Sequence, residues 1–340
     1  MKAITTLKAI EKYDWPKTRT NICEITLHYD CNARCIFCYS SPQMTEWKTK
    51  PPMPLYLILK HMKDSYRNGS RIIQFIGGEP SIYPEIENAI IGAKKIGFKI
   101  IQMVTNGQKM SDPEFSKKLF RSGLNSITFS VHSHNERLHD KIVGIKGAFR
   151  KTIKAIENAI ENGVYITIST AITIINYKDI LLLVKFLNER YGIETYNLIA
   201  THFIGLAGRN KDRLKLKYSQ MLPYLTKTID YLLLKNALPI SPILSNIPPC
   251  VATGYEDTIS DWKIPFSDDD MYLPEKSYTG KMYTTINSML KMKQESCKLC
   301  IYSKICAGFE KEYFKTFGGE EFKPIKKPSR PKGINCFYRH

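Results

Sequence analysis

Apolar and β-branched residues gather into short extended runs at Cys23–Tyr29, Arg71–Ile76, Lys99–Val104, Ser126–Val131, Tyr165–Ile172 and Tyr196–Ile204. Between these runs the pattern changes to helical spacing over Leu55–Asn68, Pro84–Lys95, Asp112–Ser122, Ala148–Asn162 and Lys178–Tyr191. Near-continuous apolar strands separated by helices predict a parallel sheet covered on its helical face. Element ends agree with that register. Ser111-Asp112-Pro113 offers a capping residue followed by proline, and Asn162-Gly163 stops the fourth helix. The strand–helix units over residues 21–236 therefore predict an α/β fold, a partial (βα)6 TIM-type barrel, behind an N-terminal extension over 1–20. Chemistry in parallel α/β folds sits at the C-terminal ends of the strands.

After a further helical stretch, Tyr218–Lys235, periodicity fades. Residues 238–285 carry six prolines and an acidic run at Asp268-Asp269-Asp270, which predicts loop or small irregular sheet. Residues 237–340 are thus expected to form a small C-terminal cysteine-rich domain. The chain has 340 residues and 43% hydrophobic residues, enough for a large core. No apolar run approaches the ~20 residues needed to span a bilayer, and Met1–Trp15 has no signal-peptide pattern. Nine cysteines without such a signal argue for a reducing, cytoplasmic setting and for metal ligation.

Three of those cysteines stand together in Asp30-Cys31-Asn32-Ala33-Arg34-Cys35-Ile36-Phe37-Cys38-Tyr39. Structural zinc takes four ligands, and so does an ordinary iron–sulfur cluster, so a C-x3-C-x2-C triad leaves one metal position open for chemistry. Downstream, Arg71–Ile76 runs into Gly77-Gly78-Glu79-Pro80. This reads as a buried strand ending at glycines that permit close backbone approach, with an acceptor beside them.

The two motifs, in this order and at this distance, resemble the radical S-adenosylmethionine (radical SAM) superfamily. The resemblance implies a [4Fe–4S] cluster on Cys31, Cys35 and Cys38 whose open iron chelates S-adenosylmethionine. It also implies that Gly77, Gly78, Glu79 and Pro80 bind the methionine amino group, and that Phe37 and Tyr39 bracket the adenine. An electron entering the cluster would release a 5′-deoxyadenosyl radical, which takes a hydrogen atom from the substrate. Softer candidates for the cofactor or substrate lie at later strand ends: Asn106 in Thr105-Asn106-Gly107, Ser130 and His132, Ser169 and Thr170 with Asn176, and Arg209 after Gly205 and Gly208 in the mouth loop that follows strand six. His134, His139 and Asp140 read as surface or capping residues in a loop, and Cys23 as a buried strand thiol.

The C-terminal region holds a second cysteine group: Cys297, Cys300 and Cys306 in a C-x2-C-x5-C knuckle, with Cys250 before it and Cys336 after it. Zinc or a second iron–sulfur cluster would each fasten such a region. The spacing resembles the twitch/SPASM auxiliary-cluster extension of peptide-modifying radical SAM enzymes. It departs from the longer pattern in having Glu310 where a further cysteine would stand. The resemblance implies one auxiliary [4Fe–4S] cluster on Cys297, Cys300 and Cys306, with Cys250 favoured over Cys336 as fourth ligand.

Net charge is +18, and residues 323–340 carry basic side chains without an acidic one. Such a surface suits an acidic peptide, a nucleic acid or an acidic reductant such as flavodoxin or ferredoxin, although no RNA-recognition signature is visible. The leading expectation is an oxidoreductase-type radical SAM enzyme acting on a peptide or protein side chain. Modification of a small metabolite or tRNA base is the alternative within enzymes. A non-catalytic zinc or electron-transfer protein is the alternative outside them, and neither of those roles needs a Gly-Gly-Glu-Pro segment.

Overall fold

The structure, a computed structural model, describes residues 2–16, 21–40, 50–235, 243–260, 270–274, 277–278 and 289–328. Cys336, most of the acidic run at 268–270 and the last part of the basic tail lie outside the described residues.

Six strands follow the predicted order: β1 Ile22–Thr26, β2 Ile72–Ile76, β3 Ile100–Thr105, β4 Ser126–Ser130, β5 Tyr165–Ile172 and β6 Thr195–Ala200. They pair in parallel, each with its sequence neighbour. Two strands the sequence pattern did not single out extend the sheet. β7 (Leu244–Ser245) joins β6, and β8 (Asp270–Tyr272) returns to pair with β1. Eight parallel strands therefore curl into a half-barrel, with β9 (Ser277–Tyr278) antiparallel on its outer edge. The sheet thus continues beyond residue 236 into the segment expected to be irregular.

Side chains alternate across the sheet as pleating requires. Ile25, Ile73, Phe75, Ile101, Met103, Ile127, Phe129, Ile168 and Leu198 face the helical layer and are fully buried. That layer includes α2 (Leu55–Arg67), α3 (Ile86–Ile96), α4 (Pro113–Ser122), α6 (Ala148–Glu161) and α7 (Ile180–Tyr191). Asp112 caps α4, its carboxylate accepting the N–H groups of Glu114 and Phe115 at 2.9 and 3.3 Å.

The opposite, inward row is polar. Gln74 Nε2 donates to Gln102 Oε1 at 2.5 Å, and Gln102 Nε2 donates to Ser126 Oγ and Thr128 Oγ1 at 3.2 and 3.1 Å. Across the sheet Ser245 Oγ donates to Asn197 Oδ1 at 2.7 Å. The runs read as near-continuously apolar therefore carry polar side chains inward at mid-strand, between apolar inward ends such as Ile72, Ile76 and Ile100.

One end of this interior is closed by the N-terminal segment. Its helix α1 (Thr6–Lys12) places Ala9 with Trp15, Ile72, Ile100 and Tyr165 in a separate apolar cluster. Tyr165 also bonds Thr6 at 3.2 Å and Thr195. Because Ile72, Ile100 and Tyr165 stand at or near the strand starts, the plugged end is the N-terminal one. The C-terminal mouth stays available for chemistry.

Past α10 (Tyr218–Leu234) the C-terminal part builds a small aromatic core, with Phe309 stacked on Phe322 at 3.7 Å and Tyr218 on Tyr313 at 4.2 Å. Among the described residues no helix is long and apolar enough to cross a membrane.

Candidate functional site

The loop bearing Cys31, Cys35 and Cys38 leaves the C-terminal end of β1 and is gripped from two sides. On one side stands α5 (Glu136–Val143), a helix where a loop was expected. Val143 O accepts the Arg34 N–H at 2.8 Å, and Ile142 O accepts the Ile36 N–H at 3.1 Å. On the other side stands α8 (Gly205–Arg209), a short helix where a mouth loop after strand six was expected. Cys38 O accepts the N–H groups of Leu206 and Ala207 at 3.0 and 3.3 Å. Asn210, just after α8, donates its side-chain amide to Ile36 O at 2.8 Å. Gly205 is required for this contact: at φ +57°, any Cβ there would lie 2.1 Å from Tyr39 O.

Beneath the loop lies the Gly-Gly-Glu-Pro segment, following β2. Gly78 N–H donates to His28 O and Glu79 N–H to Asp30 O, both at 2.8 Å, continuing the β1–β2 pairing beyond the strands. A Cβ on Gly77 would meet His28 O at 2.4 Å, and one on Gly78 would meet Asp30 O at 2.0 Å. The glycines therefore serve the approach of one backbone to another.

Glu79 is 1% exposed, and its carboxylate holds three donors of the chain: Ser81 N–H at 3.0 Å, the Thr105 hydroxyl at 2.5 Å and Asn106 N–H at 2.8 Å. Burial raises its pKa, and those hydrogen bonds oppose the shift. Asn106, fixed in this way, donates Nδ2 to Asn32 Oδ1 at 2.7 Å and points the same group at Cys31 Sγ at 3.9 Å. Pro80 is buried and opens a short turn, Pro80–Ile82.

The softer candidates separate. Phe37 meets His132 edge to face at 4.6 Å, whereas Tyr39 is 54% exposed. His132 is buried and its Nδ1 accepts the Ala171 N–H at 3.3 Å. His139 is no surface residue: it is 1% exposed on α5, stacks on His132 and accepts the His132 N–H through Nδ1 at 3.2 Å. Burial lowers the pKa of both rings, that of His139 to about 4. Asp140 does act as a cap, accepting the N–H groups of Gly147 and Phe149.

Ser130 and Ser169 stand in register on adjacent strands, partly open to the interior. Thr170 and Asn176 are committed elsewhere: Thr170 donates to Val131 O, and Asn176 donates to His132 O and Ala171 O. Arg209 is exposed at the end of α8.

Thiol surroundings are alike in both cysteine groups. Burial pushes Cys31 up to about 12 and Cys35 well above its ordinary value, with the neighbouring loop thiols adding to both. In the C-terminal part Cys250, Cys297, Cys300 and Cys306 line one small cavity with Pro248, Lys293, Phe309 and Phe322. Burial pushes Cys250 to about 12, with the other three thiols contributing. Cys306 is raised less simply, because Gly308 N–H donates to its Sγ at 3.2 Å and Lys293 and Lys291 stand near. Glu310, in the short strand β10 (Phe309–Glu310), is 5% exposed and bonds His202 beyond β6. Cys23 is buried in β1, as expected.

A family model for the Radical SAM superfamily matches residues 25–187, a span holding both motifs, the end of β1 and strands β2 to β5. Residues 25–187 are a radical SAM domain. The "Probable GTP 3',8-cyclase" of Saccharolobus islandicus (strain M.14.25 / Kamchatka #1) is 27% identical over 183 residues, 54% of this chain and 57% of that protein. The chain thus matches just over half the length of this relative. Among solved structures, Streptococcus suis SuiB bound to precursor peptide SuiA superposes with a TM-score of 0.65 at 16% identity, over 94% of this chain and 77% of that one. Native anSMEcpe with bound AdoMet gives 0.63 at 15% identity, over 88% and 95%. At these identities the likeness is one of fold, and it includes the C-terminal part.

A radical SAM domain uses a [4Fe–4S] cluster and S-adenosylmethionine. The donor set here suits that group. Three free thiols on one loop are desolvated, so their thiolates need a cationic body against them. Three protein ligands leave the cluster a position for a further ligand. Among the described residues no three His, Cys, Asp or Glu side chains are grouped so as to hold a single metal ion.

Proposed function

We propose that this radical SAM protein abstracts a hydrogen atom from a peptide or protein side chain, the substrate entering the half-barrel from its C-terminal mouth. The cluster and S-adenosylmethionine would supply the hydrogen-abstracting radical. Cys31, Cys35 and Cys38 would hold the cluster, and the grip of α5 and α8 on their loop would fix its orientation. Asn106 would donate toward the Cys31 thiolate, while Glu79 keeps Asn106 in place. Phe37 and His132 would wall one side, with Ser130 and Ser169 facing the ligand. Cys250, Cys297, Cys300 and Cys306 would hold an auxiliary cluster, as the shared cavity and the spacing support.

The single observation that favours a peptide is the chemistry of the inward row. Its polar positions are amides and hydroxyls, Gln74, Gln102, Thr128, Ser130, Ser169 and Asn197 among them, with one carboxylate, Glu24. None of the inward positions of the described strands is Lys or Arg. A triphosphate needs cations and bidentate donors around it, and Glu24 would repel it. Amide and hydroxyl groups instead match the alternating donors and acceptors of a peptide.

The test uses reduced, reconstituted enzyme with S-adenosylmethionine and either GTP or a pool of peptides carrying deuterated side chains. Deuterium passing from the peptides into 5′-deoxyadenosine is expected. Turnover of GTP, with no deuterium transfer from peptides, would replace this reading by that of the curated relatives.

A further inference from the structure

The outer wall of the half-barrel carries an open groove that neither the mouth nor the cysteine groups use. It lies between α3 and α4 and holds about 1050 Å³. Its floor is apolar, formed by half-buried Ile91 of α3 and Phe115 of α4. Exposed Lys94, Lys95 and Arg121 stand at one end, in the last turns of the two helices. A Cβ on Gly123 would lie 3.0 Å from Lys94 Cδ, so the glycine that ends α4 makes room for the Lys94 stem. Among the described residues none of these three cations is in an ion pair. The acid beside them is engaged: Glu87 pairs with Lys118 at 2.6 Å and accepts the Ser122 hydroxyl at 3.3 Å. Glu114, in the first turn of α4, marks the opposite end.

Resting on the function proposed above, we propose that this groove docks the peptide substrate itself, through an acidic, amphipathic segment remote from the residue that reacts. Helices of a parallel sheet run back from the mouth, so the basic end lies at the plugged end of the barrel. Lys99, just past α3, confirms that placement by pairing with Asp14 of the N-terminal segment at 2.7 Å. The Glu114 end lies at the mouth, because α4 follows directly on the turn Lys109–Ser111 after Asn106. A chain seated in the groove therefore reaches the mouth without crossing the sheet. With 11 residues, α3 offers a wall about 16 Å long, enough for two to three turns of a helical segment.

Apolar side chains on one face of such a segment would cover Ile91 and Phe115, and its carboxylates would meet Lys94, Lys95 and Arg121. Cations in the last turn of a helix also complement its dipole. That accounts for each of the three singly, but not for an open apolar floor between them. A small free anion would find only exposed cations, which hold it weakly. A nucleic acid would find one ring among the described lining residues, Phe115, and Lys109 Nζ already lies over it at 4.4 Å.

The probe is a fluorescein-labelled peptide of about 12 residues, long enough to fill the groove as a helix, with leucines three and four positions apart and glutamates elsewhere. A control probe carries lysine in place of glutamate. Anisotropy at low and high salt compares the wild-type protein with the triple reversal Lys94→Glu, Lys95→Glu and Arg121→Glu, and with Ile91→Asn. Deuterium transfer into 5′-deoxyadenosine is then measured from the deuterated peptide pool, with and without the acidic segment attached at either end through a Gly-Ser linker.

The wild type should bind the acidic probe and not the basic one, and salt should weaken that binding. The reversal should bind it ~10-fold or more weakly and lose the salt dependence, whereas Ile91→Asn should weaken it ~3- to 10-fold with the salt dependence kept. At low peptide concentration the attached segment should raise transfer by the wild type ~10-fold and leave the reversal unaffected. Equal transfer from the unextended pool by both proteins shows that the reversal is folded and loaded. No binding of the acidic probe, equal binding by wild type and reversal, or transfer indifferent to the attached segment would overturn the groove while leaving the peptide reading in place. No deuterium transfer from either pool, with S-adenosylmethionine cleavage intact, would overturn the peptide reading and this assignment with it.

Discussion

Replacing Glu79 by alanine separates two uses of one carboxylate. The structure spends both oxygens on the chain, on Ser81 N–H, the Thr105 hydroxyl and Asn106 N–H, in a position that is 1% exposed. Truncation leaves three buried donors without their acceptor. Each such group costs ~1–3 kcal/mol, and partial relaxation or an entering water brings the total to about 3–5 kcal/mol of stability. Glu79→Gln is not mild on this geometry. The carbonyl oxygen can serve Ser81 and Thr105 or can serve Asn106, but the new amide then points a donor at the remaining N–H, at a cost of ~1–3 kcal/mol. Urea denaturation of the anaerobically purified protein measures the loss, and hydrogen exchange at the Ser81 and Asn106 amides locates it. Asn106 would also lose its hold on Asn32 and its direction toward Cys31, so S-adenosylmethionine binding should weaken together with stability. Unchanged stability and unchanged amide protection, with weak S-adenosylmethionine binding alone, would refute this reasoning and return the carboxylate to the ligand.

Changing Cys31, Cys35 and Cys38 together to alanine should remove about four iron atoms per chain and abolish S-adenosylmethionine cleavage; cleavage persisting in that variant would exclude the loop as the site. The same variant should retain the broad visible absorption of an iron–sulfur protein, and Cys250→Ala made in it should bleach that absorption, whereas bound zinc in place of iron would leave only a structural C-terminal site. His139, held neutral by burial at about 4 against 6.5 for a free ring, must be protonated less readily in the folded than in the unfolded state. Its contribution is therefore present above pH ~6.5 and is lost as pH falls toward ~4, worth about 3 kcal/mol. His139→Phe should flatten the fall in stability over that range, and an unchanged slope would count against a buried neutral ring.

The parallel sheet and both cysteine groups were legible because each leaves a local trace. β-branched runs mark strands, glycines and Asp112 mark ends, and thiol spacing survives in one dimension. What escaped depends on contacts between distant parts of the chain. β8 is three residues long and exists because Cys23 to Ile25 offer an open strand edge to Asp270 to Tyr272. α5 looked like a loop because it is short and begins in a His-rich stretch, although Asn135 does cap it through Leu138 N–H. The Gly77-Gly78 pair was visible, but its partner, the backbone of residues 28–30, was not. The inward polar row did have a signal, Gln74, Gln102, Thr128 and Thr167 at alternate positions of β2 to β5, and it was masked by the stronger apolar signal of their neighbours.

Charge is distributed so that interior and exterior suit different parts of one substrate. The chain carries +18 overall, yet the inward positions of the described strands hold no cation and one carboxylate. Lysine and arginine excess in a protein of this kind could have served an anionic substrate, in which case some of it would converge on the mouth from the strand ends. Instead Ser130, Ser169 and Asn197 occupy those inward positions, while Lys94, Lys95 and Arg121 gather on the outer wall. A neutral, hydrogen-bonding interior discriminates by shape and by amide pairing, where each unsatisfied group is costly. A charged exterior acts at longer range and mainly on encounter rate, and is weakened by salt. Selection at the reacting residue should therefore be insensitive to ionic strength, and capture of a remote acidic segment sensitive to it. Parallel salt titrations of dithionite-driven deuterium transfer from the peptide pool, once with the acidic segment attached and once without it, separate the two. Transfer from the unextended pool as salt-sensitive as that from the extended one would mean that the reacting part of the substrate, too, is drawn in by charge.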